Sequence, residues 1–540
     1  MTSAPGSLRP ASVQPRTLGD LAVAVSGSVD PADRDLPVTG VVLGSVEAQP
    51  GDLFVAVPGA RSHGARYAQA ALDAGAVAVL TDAAGLDILR AEQTAVGEPS
   101  HQRPVPVVLL PAGSDPQRAA GAAAAFFYDH PSTALTSFGV TGTNGKTTTT
   151  YLLDHLLTAL GRTVGLVGTV ETRSGSRVLP SRLTTPDAAS LQAVLATMRE
   201  DGVDVLAMEV SSHSISQRRV DGLHFDVVGF TNLSQDHLDF HGDLDRYFAA
   251  KAELFTAERA RRGVVVVDDE WGQRLAATAD IPVVTLSVGR RGTPVGDWSV
   301  RDVQEGPAGT TFTVAHSDGR SMRVRTTLPG SFNIANAALA LVMVVESGVD
   351  VGTVTAALEA AGGMSPAVPG RMEQVADRPR VVVDFAHNPD ALALALEALR
   401  PTTAGRLVVV FGATGERDTT KRPVMGRIAV EGADVVVVTD DDPHAEEPAG
   451  IRTQVLDGAR EAAAAALPGR DVDVLEAAPR ALAIRAAVLA ADDEDTVLVA
   501  GRGHEVWQEI DGVDHPLDDR VEARAAVADR AQRTTKEHSE

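Results

Sequence analysis

Cysteine is absent from the 540 residues, which excludes disulfides, thiolate metal sites, iron–sulfur clusters and a cysteine nucleophile, and agrees with a cytosolic enzyme. Long apolar runs are absent too. The alanine-rich stretch Ala462–Leu467 and its like fall far short of a membrane span. The first 20 residues lack a basic start followed by an apolar run, so no signal peptide is expected. Basic clusters are limited to pairs such as Arg218-Arg219 and Lys421-Arg422, in a chain of formal net charge -24. Such a field repels nucleic acid, and no nucleic-acid partner is expected. Anionic nucleotides are still acceptable, because loops, lysines and Mg2+ neutralise phosphate locally. Repeats of solenoid type are also missing.

What is present reads as globular, with 44% hydrophobic and 22% charged residues. The length exceeds what one core usually serves, so two to four domains are expected. The first 16 or so residues, rich in Pro, Ser and Ala, read as a frayed arm. Leu53–Val57 and Val77–Leu80 read as strands, with a helical stretch at Ala65–Ala74, in a small α/β unit. A helix over Pro116–Tyr128 then leads to a strand, Leu135–Val140, a Gly-rich stretch, Thr141–Thr148, and a helical pattern, Thr149–Leu160. That order opens an α/β nucleotide-binding sheet. Val164–Val167, Val205–Glu209, Val227–Thr231 and Val264–Val267 are apolar throughout, as strands covered on both faces require. A Gly- and Pro-rich break near Gly362–Gly370 precedes further strands at Arg380–Phe385, Leu407–Phe411, Val435–Thr439 and Thr496–Ala500. The plan is three α/β domains, over residues 1–132, 133–369 and 370–540.

The Gly-rich stretch carries the most chemistry. In Gly139-Val140-Thr141-Gly142-Thr143-Asn144-Gly145-Lys146-Thr147-Thr148, glycines let successive N–H groups face a phosphate, and the next helix presents its N-terminus to it. Lys146 can reach the β and γ phosphates and Thr147 can sit on Mg2+. The strict Walker spacing fails by one residue, because Val140 stands where its first glycine belongs.

Glu209 ends an apolar strand, where open α/β sheets place ligands, and is positioned for Mg2+ directly or through water. The next strand runs into Asn232–Gly242, where two imidazoles, His237 and His241, and two carboxylates, Asp236 and Asp239, suggest metal if taken alone. The His-Glu-x-x-His pattern is missing, so a zinc protease is a poor reading. A Mg2+ and phosphate site with His237 as ligand or support fits better, and a capping role is the bland alternative. Lys251, on a helix expected over Leu244–Phe255, reads as a surface lysine on chemistry alone.

These motifs are joined by Thr184-Thr185-Pro186, Lys251–Phe255, Gly330–Asn336, Gly370–Glu373, Asp384–Asp390, Phe411–Arg422 and Gly501–Glu505. In that order, from about Leu36 onward, the sequence resembles the Mur ligases of peptidoglycan synthesis. Within them it is most similar to those adding a diamino acid to UDP-N-acetylmuramoyl-L-alanyl-D-glutamate. The resemblance implies an α/β fold of three domains: an N-terminal UDP-binding domain, a central parallel-sheet ATP-binding domain, and a C-terminal Rossmann-like domain closing over the amino acid. It implies ATP and Mg2+ as cofactors, a cytoplasmic location, a monomer, and a carbamylated Lys251 helping Thr147, Glu209 and His237 hold the metal. Lys146, Glu209, His237 and Lys251 become the catalytic set. Gly142, Thr143, Asn144, Gly145, Lys146, Thr147 and Thr148 bind the ATP phosphates. Asn333, Asn336, Arg371, Asp384 and His387 fall on the adenine, ribose and phosphate side. Thr184 and Thr185, with Ser211 and Arg219 nearby, meet the UDP-sugar peptide, and Ser45, Gly59 and His63 match its N-terminal region. Arg417, Lys421, Gly501 and Glu505 line the amino-acid or interdomain face.

The implied reaction phosphorylates the D-glutamyl carboxylate, and an amine then displaces phosphate from the acyl phosphate. Diaminopimelate-adding members carry Asp-Asn-Pro-Arg, whose arginine grips the distal carboxylate. Here the stretch is Asp441-Asp442-Pro443-His444. An imidazole cannot reproduce a guanidinium clamp, and an added carboxylate at Asp442 repels a distal carboxylate. L-lysine, L-ornithine or a shorter diamino acid is therefore expected, with meso-diaminopimelate as the main rival. A folylpolyglutamate synthetase-like ligase, a related Mur ligase adding L-alanine, D-glutamate or a dipeptide, and a non-catalytic nucleotide-binding scaffold are the other readings.

Overall fold

A computed structural model describes residues 9–59, 62–95, 104–179, 184–289, 296–306, 309–465 and 471–537. Its strands fall mainly into three sheets, built in chain order. The first is wholly parallel, with strands Gly40–Val42, Asp52–Ala56, Ala78–Thr81 and Val107–Leu109. The arm expected to fray is pinned where it is described. Arg9 donates to both Asp52 oxygens at 2.7 Å, and the Ala11 and Ser12 amides donate to Glu200. Its first eight residues lie outside the described set. The helix expected over Ala65–Ala74 begins as a 3-10 turn at Gly64–Tyr67 and is α-helical only over Ala68–Asp73.

The second sheet has 11 strands and carries the phosphate loop on Thr136–Thr141. That strand lies between Val205–Glu209 and Val227–Phe230, parallel to both. All residues of these three strands but Thr136 are buried, because helices cover both faces. Helix Lys146–Ala159 packs Leu152, Leu153 and Leu156 into one core cluster with Leu339 and Met343 of helix Ser331–Glu346. The sequence reading missed an antiparallel extension, Trp298–Gly306, Gly309–His316 and Ser321–Thr326. The last of these strands alternates exposed and buried residues, because only one face is covered.

The third sheet runs Glu373–Asp377, Arg380–Asp384, Thr496–Ala500, Leu407–Phe411, Val435–Val438, Asp473–Glu476, with only the first pair antiparallel. A hairpin, Trp507–Ile510 with Val513–Pro516, follows it. Among the described residues no helix is long and apolar enough to cross a membrane.

Candidate active site

The phosphate loop leaves its strand where neighbouring parallel strands also end, so ligands on three loops converge. Gly142 has φ +148° and Gly145 φ +92°; a Cβ on the first collides with Thr231 Oγ1 and on the second with Asn336 Oδ1. The glycines are thus demanded by close approach as well as by backbone conformation. Thr231 donates to the Asn144 carbonyl at 2.7 Å, and Asn232 Oδ1 accepts from the Asn144 amide at 3.1 Å, fixing the loop from the next strand.

Lys146 Nζ lies on the carbonyls of Gly142 (3.0 Å) and Thr143 (2.8 Å). Burial lowers its pKa, opposed by Glu209 and Asp236. Lys251, read from chemistry alone as a surface residue, is only 1% exposed. Its Nζ donates to the Gly142 carbonyl at 2.7 Å and lies 4.4 Å from the centre of the Tyr247 ring. Burial, reinforced by Lys146, holds it well below the usual lysine range. Lys251 lies on the apolar face of its helix, four and three residues after buried Tyr247 and Phe248, while Asp245 and Arg246 stay exposed, so residue type alone misplaced it.

The Thr147 hydroxyl donates to Glu209 Oε2 at 3.0 Å. The Thr169 amide and hydroxyl donate to Glu209 at 2.9 and 3.1 Å, and the Thr169 and Thr184 hydroxyls are 3.0 Å apart. These are hard oxygen donors suited to Mg2+. Among the described residues no group of three or more His, Asp or Glu side chains is arranged to hold a metal by itself. A cation here must draw its remaining ligands from phosphate and water, as Mg2+ does. His237 has φ +52° and lies 3.8 Å from Asp236; burial lowers its imidazole to about 3, so it is neutral at pH 7. Asp236 is pushed up by burial, but the hydrogen bond and charge of His387, then His237 and Lys421, hold it well below the usual range.

The C-terminal domain closes over this loop. Asn388 donates to Asn144 Oδ1 at 3.0 Å, Arg371 to Thr147 at 3.3 Å, and Gln235 to Asp418 at 2.9 Å. Arg371 lies over the Phe385 ring at 4.0 Å, and Asp384 accepts from the Met372 and Ala386 amides. A cavity of about 590 Å3 results, lined by the loop from Thr143 to Thr148, Thr184, Glu209, Ser211, His237, Asn333, Asn336, Arg371, Asp384 and His387.

Other expected residues lie elsewhere. Gly142, in the loop, and Lys251, which donates to its carbonyl, do not line the cavity. Ser45 is on the N-terminal domain in a 3-10 turn, outside the cavity, and His63 caps the turn at Gly64–Tyr67 and contacts Asp82. Thr185 and Arg219 bond to each other's neighbourhood, the guanidinium reaching the Thr185 carbonyl at 3.0 Å. Arg417 is on the domain rim, 3.6 Å from Asp239. Asp441, Asp442, His444, Gly501 and Glu505 cluster apart from the nucleotide loop. Asp441 Oδ2 is buried without a partner among the described residues. Burial pushes Asp441 up, but Arg480 and Arg502 bring it below the ordinary value. Burial, with Asp441 and Asp442, raises Glu505 to about 8 against the pull of Arg502.

The expectation that Asp442 repels a distal carboxylate needs correction. Buried Arg502 forms an ion pair with it and offsets its charge, although burial and Asp441 still raise its carboxyl above the ordinary value. His444 Nδ1 faces Glu509 Oε2 at 2.8 Å, on the hairpin, which no sequence motif had marked. Thr169, Asp236 and Asn388 were likewise unassigned. Asp236 and Asn388 lie inside quoted motifs, whereas Thr169 carried no signal.

Three family descriptions match in order: "Mur ligase family, catalytic domain" over 37–110, "Mur ligase middle domain" over 140–344, and "Mur ligase, glutamate ligase domain" over 370–503. The chain is 48% identical over 529 residues to a UDP-N-acetylmuramyl-tripeptide synthetase of Leifsonia xyli, covering 97% of this chain and 98% of the relative. It is 45% identical over 530 residues to a UDP-N-acetylmuramoyl-L-alanyl-D-glutamate--2,6-diaminopimelate ligase of Streptomyces avermitilis, covering 97% and 98%. Five further relatives bear that second name. A solved structure titled for the same ligase matches with TM-score 0.61 and 28% identity, covering 96% of this chain and all of that one. With the phosphate loop, Glu209 and the closing third domain in place, the chain belongs to the Mur ligase family of ATP-dependent, amide-bond-forming ligases.

Proposed function

We propose that the chain adds a diamino acid to the D-glutamyl residue of UDP-N-acetylmuramoyl-L-alanyl-D-glutamate, and that this diamino acid is 2,6-diaminopimelate. The observation that carries the reaction class is the single cavity in which Lys146, the Thr147–Glu209 pair and Arg371 of the third domain face one another. The acceptor and diaminopimelate are both supported by the names of six relatives, and a seventh is named for a UDP-N-acetylmuramyl-tripeptide. Arg502 beside Asp442 supports the same choice, because it weakens the repulsion that the extra carboxylate would bring.

In this reading the loop amides and Lys146 hold the ATP phosphates, and Thr147 and Glu209, with His237 at the rim, face Mg2+. The metal supplies charge neutralisation for phosphoryl transfer. Thr184, Thr185, Ser211 and Arg219 orient the acceptor carboxylate, with Ser45 at its UDP end. Asn333, Asn336, Asp384 and His387 bound the nucleoside side. A carbamylated Lys251 belongs to the proposal: burial lowers its proton affinity and so favours the neutral amine that adds carbon dioxide. Asp441 Oδ2 then offers an acceptor for the ammonium of the incoming amine, with the carboxyl of Glu505 beside it, near Gly501 and the Arg417 rim. Closure excludes water from the acyl phosphate. Domain boundaries at 132/133 and 369/370, a monomeric state and a cytoplasmic location complete the reading.

A second reading, L-lysine or L-ornithine, is favoured by one observation. His444 stands where a guanidinium would grip a distal carboxylate, and its Nδ1 is engaged by Glu509. The test is product identification with the UDP-dipeptide, ATP, Mg2+ and competing meso-diaminopimelate, L-lysine and L-ornithine. Diaminopimelate is expected to enter the amide product. Preferential incorporation of lysine or ornithine replaces the first choice by the second, and no amide with any amine overturns both.

A further inference from the structure

Thr169 occupies a junction that no sequence motif marks. It follows the strand Val164–Val167, in a turn whose Gly168 cannot carry a Cβ without meeting Glu209. Its amide and hydroxyl both reach the Glu209 carboxylate, and its hydroxyl also reaches Thr184. One proton assignment satisfies the set: Thr184 donates to Thr169 Oγ1, and Thr169 donates to Glu209 Oε2. The remaining polar group of Thr169, its carbonyl, faces His504 Nε2 at 3.2 Å. His504 belongs to the C-terminal domain, one residue before Glu505.

The tautomer follows from the surroundings. A carbonyl only accepts, so Nε2 carries the proton, and Nδ1 is buried without a partner among the described residues. Burial, then the Arg371 charge, keeps the ring neutral, with a pKa of about 3. His504 is thus a fixed single donor whose bond to Thr169 forms only when the two domains are docked.

We propose that Thr169 is a positioning residue which, held by His504 on domain closure, orients the Glu209 carboxylate toward the metal and Thr184 toward the acceptor. The proposal rests on the reading of Glu209 as a metal-facing carboxylate. Docking of the amino-acid domain thereby tightens the phosphoryl-transfer site through one backbone carbonyl and one hydroxyl.

The test uses Mn2+ as an electron paramagnetic resonance probe of the full chain, with a non-hydrolysable ATP analogue. Thr169→Val, which keeps shape and loses the hydroxyl, is expected to weaken Mn2+ binding about tenfold, the scale of one hydrogen bond to a charged group. It should also raise the KM for the UDP-dipeptide more than it lowers kcat. Thr169→Ser should recover most of both losses. His504→Leu, in the other domain, should weaken Mn2+ by about threefold, and His504→Gln, which keeps a donor, should reverse this. Wild-type protein that binds no Mn2+ overturns the underlying reading of Glu209. Wild-type binding with Thr169→Val unchanged overturns the role of Thr169 alone. A normal Mn2+ affinity in His504→Leu, with Thr169→Val impaired, overturns the link to closure.

Discussion

Lys251 and Lys146 donate to one and the same oxygen, the Gly142 carbonyl, at 2.7 and 3.0 Å. Positive charge on both nitrogens at one acceptor is repulsive, and buried Lys251 is the one held well below its ordinary range, which favours its neutral form. Its neutral amine is a nucleophile for carbon dioxide. Protein equilibrated with 13C-bicarbonate is therefore expected to show one carbamate carbon by NMR, which Lys251→Arg abolishes. That variant should fold and lose on the order of 100-fold in turnover, about 2.7 kcal/mol. A wild-type spectrum without the carbamate signal, under turnover conditions, defeats the assignment.

Lys146→Ala removes the cation that the loop aims at phosphate. The loss expected in kcat for ADP release is about 3–5 kcal/mol, with thermal stability retained. Steady-state ADP assays beside thermal denaturation check both halves.

Gly142→Ala should abolish nucleotide binding without unfolding the chain. The substitution forces a Cβ against Thr231 and an L-residue into φ +148°, a strain of about 1–3 kcal/mol confined to the loop. Isothermal titration with ATP is the measurement, and wild-type affinity contradicts the assignment.

Asn388 holds two jobs that can be separated. Its Oδ1 caps the helix Pro389–Leu399 and its Nδ2 reaches Asn144 across the domain boundary. Asn388→Thr keeps a capping oxygen and loses the bridge, so stability should change by only a few tenths of a kcal/mol. Small-angle scattering should meanwhile show a more open chain. Equal radii for both proteins speak against the bridge.

Glu505 makes a pH signature with a definite sign. Its folded pKa, about 8, lies above the ordinary glutamate value, so the folded chain holds a proton that the unfolded chain releases. Its stabilising contribution is full below the ordinary value and is lost as pH rises through about 8. The stability difference between wild type and Glu505→Gln, followed by denaturant titration, should fall across that window. A flat difference contradicts the raised value.

The parallel strands were legible because residues such as Val205–Met208 and Leu407–Phe411 are apolar without interruption, which only a doubly covered strand allows. The antiparallel extension was not, since Trp298–Gly306 buries few of its residues and carries Arg301, Asp302 and Glu305 outward. The phosphate loop, Glu209 and His237 were legible from their place after a strand. The burial of Lys251 was legible only through resemblance. The pairing of Asp442 with Arg502 was invisible for a plain reason: 60 residues separate them, and the contact exists only once Val435–Val438 and Thr496–Ala500, with Leu407–Phe411 between them, end at one edge of the sheet. Reading the carboxylate as free gave the wrong charge for its surroundings.

The walls of the large cavity come from two domains, with Arg371 and Asp384 facing Lys146 and Glu209 across it. An inhibitor that spans both walls would act as an adhesive between them. Its residence time would then be governed by how often the whole molecule gapes, and compounds of equal affinity could differ widely in duration of action according to whether they touch one wall or two.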